Sequence, residues 1–231
     1  MQSSTVIELK SFSFSYGNKP VHKDLNLLIE HGTVHGILGA NGVGKSTLFN
    51  CLFHNYLHDA MHVAKGYEKE LAYLQAEPYH YPYMTGMEYL KIICAKEKHA
   101  DIKDWNSIFQ LPLGEYVHNY STGMKKKISL LGNILLDKKI ILLDEPTNGL
   151  DLETNEFFKV LIAKLKQTGK TIIISSHVLE VLFSICDTIT LISSIDKSAT
   201  YTVENFGELK TTVQSNYGTD KQEMLDKLLQ V

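Results

Sequence analysis

The sequence predicts an α/β fold: a mixed sheet around a phosphate-loop core, with an N-terminal antiparallel β subdomain and an inserted α-helical subdomain. Three observations carry the prediction. A glycine-rich loop, Gly39–Thr47, lies between a short apolar run and a stretch of helical periodicity. Two later aliphatic runs, Ile140–Leu143 and Ile172–Ile174, have the unbroken hydrophobicity of strands buried on both faces. Between these landmarks, Thr85 to about Leu136 reads as helix, set apart from the strands.

Composition sets bounds on the class. The chain has 231 residues, 44% hydrophobic and 21% charged, as in an ordinary globular protein. Its net charge of −3 speaks against a nucleic-acid partner, which would favour a basic face. No apolar run approaches the roughly 20 residues of a membrane-spanning helix. Residues Met1–Thr5 lack the charged and apolar regions of a signal peptide. The three cysteines, Cys51, Cys94 and Cys186, are widely spaced and read as small core hydrophobes in a reducing compartment. The expected location is the cytoplasm, with any membrane role coming through a partner.

In chain order, Val6–Ser15 and Leu25–Glu30 alternate apolar with polar, as half-buried antiparallel strands do, and Gly17-Asn18 supplies a turn. Phe12, Phe14 and Tyr16 share one parity; Tyr16 either stacks on an adenine or packs on the sheet as a rim aromatic. Val34–Leu38 enters the loop as a strand, and Ser46–Leu57 leaves it as a helix. The residues Gly39, Ala40, Asn41, Gly42, Val43, Gly44, Lys45, Ser46 and Thr47 satisfy G-x-x-x-x-G-K-[ST]. Glycines let backbone N–H groups curl around an anion at the positive end of the helix. Lys45 would reach the β- and γ-phosphates, and Ser46 would ligate Mg²⁺. The competing reading is a glycine-rich turn that happens to precede Lys-Ser.

His54, His58 and His62 stand four apart, a metal-ligand spacing if the helix continues, although solvated helix-end histidines have the same pattern. Leu71–Leu74 is a short buried strand ending in Gln75, which is placed either to meet Mg²⁺ and the attacking water or as a plain polar strand end. Pro78–Tyr83 is a tyrosine-rich loop, suited to a contact surface or to covering a helical layer. Ser121 is a good N-cap, and with Gly123 it makes the next helix start a second anion site; the following Lys125–Lys127 is otherwise a solvated face. Ile140–Leu143 delivers Asp144 and Glu145 to the carboxyl end of a buried strand, with Asp144 placed for Mg²⁺ and Glu145 for polarising a water. Thr154–Lys166 reads as an amphipathic helix. Thr171–Ser175 is a buried strand leading to His177, which either bonds a γ-phosphate or is an idle helix-end histidine. A short helix (Leu179–Ile185), a strand (Thr188–Ile192), a further strand (Ala199–Val203) and a C-terminal amphipathic helix with Met224, Leu225, Leu228 and Leu229 complete the reading.

Together these elements resemble the nucleotide-binding subunit of an ABC transporter over about residues 5–192. Tyr16 matches the adenine-stacking position, Gly39–Thr47 Walker A and Gln75 the Q-loop. Tyr120–Met124 matches the family signature, Ile140–Glu145 Walker B, Asn148–Asp151 the D-loop and His177 the switch histidine. There are departures: Ala40 and Val43 replace the commoner proline and alanine of Walker A, and Thr122 and Met124 the usual glycine and glutamine of the signature. The form Tyr-Ser-Thr-Gly-Met-Lys is similar to that of separate-chain exporters.

The resemblance implies one ABC ATPase domain over 1–231, with a helical subdomain at about 78–136 and a tail at about 193–231. It implies ATP and Mg²⁺ as cofactors, with Ser46, Gln75 and Asp144 toward the metal and Glu145, His177 and Gln75 in hydrolysis. It further implies a second ATPase subunit paired head to tail, with each ATP held between Lys45 and Ser46 of one chain and Ser121 and Gly123 of the other. A separate transmembrane permease would place the chain at the cytoplasmic face of a membrane, with export as the direction. The alternative is a soluble ABC ATPase of a non-transport assembly system.

Overall fold

The computed structural model describes residues 5–54, 60–67, 69–95 and 101–215. Strands β1 (Thr5–Tyr16) and β2 (Lys19–Glu30) form a hairpin whose turn uses the positive φ of Gly17. β4 (Met61–Val63) pairs antiparallel with β1 to complete a three-stranded sheet of order β2-β1-β4. The second strand begins earlier than its alternation suggests, and β1 carries register shifts beyond Leu9. Phe12 is therefore fully buried whereas Tyr16, of the same parity, is 57% exposed.

The central sheet has six strands in the order β5-β6-β7-β3-β8-β9. These are β3 (Val34–Leu38), β5 (Leu71–Leu74), β6 (Ile140–Asp144), β7 (Thr171–Ser176), β8 (Thr188–Ser194) and β9 (Lys197–Thr202). All neighbours are parallel except β8 and β9. Successive side chains serve opposite faces, which is why the runs read as continuously apolar. Ile37, Ile140, Leu142 and Ile173 pack toward α1 (Lys45–His54) and the antiparallel sheet. Val34, Leu38, Ile141, Leu143, Ile172 and Ile174 pack on the other side, against the helical layer. Each such side chain contributes on the order of 2 kcal/mol of burial.

That layer contains α2 (Gly86–Ile93), α3 (Ile102–Phe109), α4 (Thr122–Leu135), α5 (Leu152–Gln167) and α6 (Leu179–Phe183). Among the described residues, the stretch from Thr85 to Leu136 holds α2, α3 and α4 but is not helical throughout: residues 110–121, with Pro112 and Gly114, form a loop with one short 3-10 turn at Val117–Asn119. Thr85 begins α2 with a capping box to Glu88, a signal present in the sequence at helical spacing. α1 ends at His54 and His62 lies on β4, so those two histidines do not share a helix; His58 lies outside the described residues. Among the described residues no cluster of three or more potential ligands forms a metal site. No described helix is long and apolar enough to cross a membrane. Cys51, Cys94 and Cys186 are free and buried. The chain beyond β9 is helical at 206–215, and the Met224–Leu229 stretch lies outside the described residues.

His35, the second residue of β3, is 1% exposed and bonded to hydroxyls on β8: its Nε2 lies 2.9 Å from Thr190 Oγ1 and its Nδ1 2.7 Å from Thr188 Oγ1. Burial pushes its pKa down to about 4. An unfolded histidine titrates near 6.5, so between these values the unfolded chain binds more protons. Stability is therefore full above about pH 6.5 and is lost as pH falls toward 4. We expect this residue to remove roughly 2 kcal/mol between pH 7 and pH 5, read as a fall in the urea midpoint. His35→Gln should flatten that dependence.

Candidate functional site

The sheet order brings three loops together. β7 lies between β3 and β6, with Leu38 opposite Ser176 and Asp144 opposite Ser175. The loops after β3, β6 and β7 consequently leave the same sheet edge side by side, at the carboxyl ends where α/β sheets bind ligands. They carry Gly39–Thr47, Asp144-Glu145 and His177.

A cleft of about 630 Å³ opens there, lined by Asn41–Thr47, Tyr16, Glu145 and Asn148, with Ala76 and Glu77 on the β5 side. This volume suits a nucleotide-sized ligand. Two glycines of the loop cannot be replaced without rearrangement. Gly44 has φ +110°, and a Cβ there would lie 2.7 Å from Val21 Cγ1 and 2.8 Å from the His22 ring. A Cβ on Gly39 would lie 2.7 Å from the Ile192 carbonyl oxygen. His22 also braces the loop, its buried ring Nε2 donating to the Gly44 carbonyl at 3.0 Å. Burial holds its pKa below the ordinary range, with the bond to Gly44 opposing the shift.

Lys45 opens α1, where the first N–H groups have no intrahelical acceptors. Its Nζ donates to the carbonyls of Gly39 (2.8 Å) and Ala40 (3.2 Å) and lies 3.2 Å from Glu145 Oε1. The contact with Glu145 is an ion pair without a hydrogen bond: Oε1 is buried and has no hydrogen-bond donor. Glu145 Oε2 lies 3.0 Å from Nδ1 of His177, whose side chain is 37% exposed. The Glu145 backbone is strained, at φ +46°. Its N–H is held by Ser175 Oγ at 2.9 Å, and its carbonyl accepts from Lys126 Nζ at 3.1 Å.

Asp144 is 1% exposed. Ser175 Oγ donates to its Oδ1, and Tyr73 OH is 3.5 Å from its Oδ2. Burial first, then the Asp144 charge, drives the Tyr73 hydroxyl pKa well above its usual range.

The other sequence-predicted residues are distributed around this centre. Tyr16 packs edge-on against Phe14 at 5.0 Å and faces the cleft. Gln75 is exposed just after β5. Ser121 caps α4 by accepting from the Met124 N–H at 3.2 Å; neither it nor Gly123 lines the cleft. Sequence reasoning missed Ser175, Tyr73, His22 and Lys126. Their sequence neighbours give no local signal, because each acts across strands or between layers.

The chain matches the family model described as ABC transporter over residues 22–148. It is 31% identical over 215 residues to the ABC transporter ATP-binding protein NatA of Bacillus subtilis (strain 168), covering 84% of this chain and 87% of that protein. It is 30% identical over 210 residues to the ribose import ATP-binding protein RbsA of Lactococcus lactis subsp. lactis (strain IL1403), covering 80% of this chain and 42% of that one. In fold it is similar to a solved ATP-binding subunit of an ABC transporter, with a TM-score of 0.79 and 22% identity over 96% of this chain and 99% of that one. Sequence family, relatives and fold agree, and the chain belongs to the ABC transporter ATP-binding family.

Proposed function

We propose that this chain hydrolyses Mg·ATP and couples the reaction to transport through a separate permease. The observation that carries the reading is the Glu145 carboxylate, fixed between Lys45 and His177 at the rim of the phosphate-loop cleft. A carboxylate there can take a proton from a water attacking the γ-phosphate, and His177 can support the γ-phosphate end.

The residues present fit both groups. Glu145 Oε1 is a buried acceptor without a donor, suited to a water. The loop of Gly39, Gly42 and Gly44, with Asn41 lining the cleft and the α1 N-terminus behind it, suits phosphate. Ser46 and Asp144 supply hard oxygen ligands of the kind Mg²⁺ takes, with Gln75 from the β5 edge. When bound, Mg²⁺ supplies charge neutralisation between the phosphates. Lys45 would bind phosphate oxygens, Thr47 lies in the same loop, and Tyr16 would stack on the adenine.

We assign Ser121 and Gly123 to the nucleotide of a second ATPase subunit in a head-to-tail sandwich. The N-capped start of α4 supports this reading, since a helix N-terminus favours an anion and neither residue lines the chain's own cleft. The exposed Tyr79, Tyr81 and Tyr83, at 70%, 61% and 77%, are the proposed docking surface for the permease. That contact would hold the chain at the cytoplasmic face of a membrane. The reading treats residues 1–231 as one ATPase domain, with no nucleic-acid partner. For direction we propose export, on the form of the signature.

Glu145→Gln should lower turnover at least about 100-fold and trap an ATP-bound dimer, seen by size-exclusion chromatography in Mg·ATP. A monomer under saturating nucleotide would remove Glu145 from this role. Ser121→Arg should block hydrolysis while leaving ATP affinity of the isolated subunit within about twofold; surviving turnover would defeat the cross-subunit assignment. A pull-down from detergent-solubilised native membranes should yield a polytopic partner at matching stoichiometry, and recovery of soluble partners alone would point to an assembly ATPase instead.

A further inference from the structure

Lys126 is the middle member of the run Lys125–Lys127 near the start of α4. It does not serve a solvated face. Its Nζ crosses to the β6–α5 loop, donating to the carbonyl of Glu145 at 3.1 Å and to the carbonyl of Asn148. The Asn148 N–H itself donates to the Glu145 carbonyl at 3.2 Å, so residues 145–148 form a turn whose two end carbonyls both hold this one ammonium. Glu145, Asp144 and Glu77 surround it with negative charge, which opposes the lowering of its pKa by burial.

The turn begins at the strained residue. With φ +46°, Glu145 occupies a region that costs a non-glycine residue on the order of 1 kcal/mol or more and persists only when its surroundings fix it. Three sets of contacts do so: Ser175 Oγ on the N–H, Lys126 together with the Asn148 N–H on the carbonyl, and Lys45 with His177 on the carboxylate. The Lys45 contact belongs to the phosphate cradle and would be contested by a phosphate. The Ser175 and Lys126 contacts would remain when it is filled. Of these two, only Lys126 comes from α4, the helix whose capped start carries Ser121 and Gly123.

We propose that Lys126 is a positioning residue for Glu145, tying the signature helix to the direction in which the carboxylate points. The inference rests on Glu145 being the base that activates water. A displacement of α4 would move the ammonium, relax the turn at its two carbonyls and turn the carboxylate away from the attacking water. Whether α4 is engaged would thus be reported to the chain's own hydrolytic site through one side chain.

The test uses the full chain with Mg·ATP, comparing Lys126→Met, which keeps the length without the donors, and Lys126→Arg, which restores charged donors. We expect the Met variant to lose at least tenfold in kcat, with nucleotide Kd within twofold and an unchanged thermal midpoint. The Arg variant should return to within threefold of the parent. If Lys126→Met does not fold, Lys126→Ala tests the same lost donors with the same expectation. Turnover within twofold of the parent in the donorless variant, or a loss that Arg fails to restore, would overturn the proposal. Glu145→Gln run alongside separates the two ideas: turnover surviving there would defeat the role of Glu145 itself, whatever Lys126 does.

Discussion

The Lys45–Glu145 ion pair is the constraint around which the site is arranged. The two charges sit 3.2 Å apart with side chains only 6% and 12% exposed, so both have lost most of their water. Such a pair gains little net stability, because desolvation offsets much of the attraction; removing one partner strands the other at a cost of about 3–5 kcal/mol. The ammonium directs two of its three donors at the carbonyls of Gly39 and Ala40, and Glu145 Oε1 has its charge beside it but no hydrogen-bond donor. An incoming phosphate would compete for that ammonium directly. In the proposed reaction, the same step that seats the nucleotide therefore loosens the carboxylate from Lys45 and leaves it to His177 and water.

The sheet makes this arrangement possible by inserting β7 between β3 and β6. That strand contributes little chemistry in its apolar body, Ile172–Ile174, but its end sets both acids: Ser175 Oγ donates to the Asp144 carboxylate and accepts from the Glu145 N–H. One hydroxyl at a fixed register position fixes two neighbouring acids. The strained φ of Glu145 sits at this junction, and it is the kind of local conflict with backbone preference expected where chemistry, not stability, chose the conformation.

Most of the scaffold was legible because its signals are local. The phosphate loop with its flanking strand and helix, the buried strands and the cap at Ser121 each depend on a few consecutive residues, and each lies where its pattern places it. Legibility failed where the determinant is distant. Helical periodicity could not reveal that residues 110–121 break away as a loop, because their apolar members, Leu111, Leu113 and Val117, are buried by tertiary packing rather than by a helix face. The shared face of His54 and His62 depended on the helix continuing, and the antiparallel pairing of β4 with β1 claims the second. At the site, the acids and the loop were readable from spacing, whereas the partners that aim them were not. Ser175 follows three isoleucines as an unremarkable strand end, and its importance appears only once β6 lies beside it.

The lysine run shows the same limit more sharply. As a sequence feature, Lys125–Lys127 is a block of like charge, and a block suggests one solvated surface. A helix turns about 100° per residue, so three consecutive side chains leave it in three directions. Here they meet three environments. Lys125 lies near His80 and helps lower that ring's pKa, behind the larger effect of burial. Lys127 is on the side of Asp151, the N-cap of α5. Lys126 alone reaches the turn that begins at Glu145. A charge run on a helix is thus not a single patch but a radial set of contacts, and its function is decided by which elements pack around it. In this chain the elements around α4 include the loop that carries the candidate base, so the middle lysine acquires a task that its two neighbours do not share.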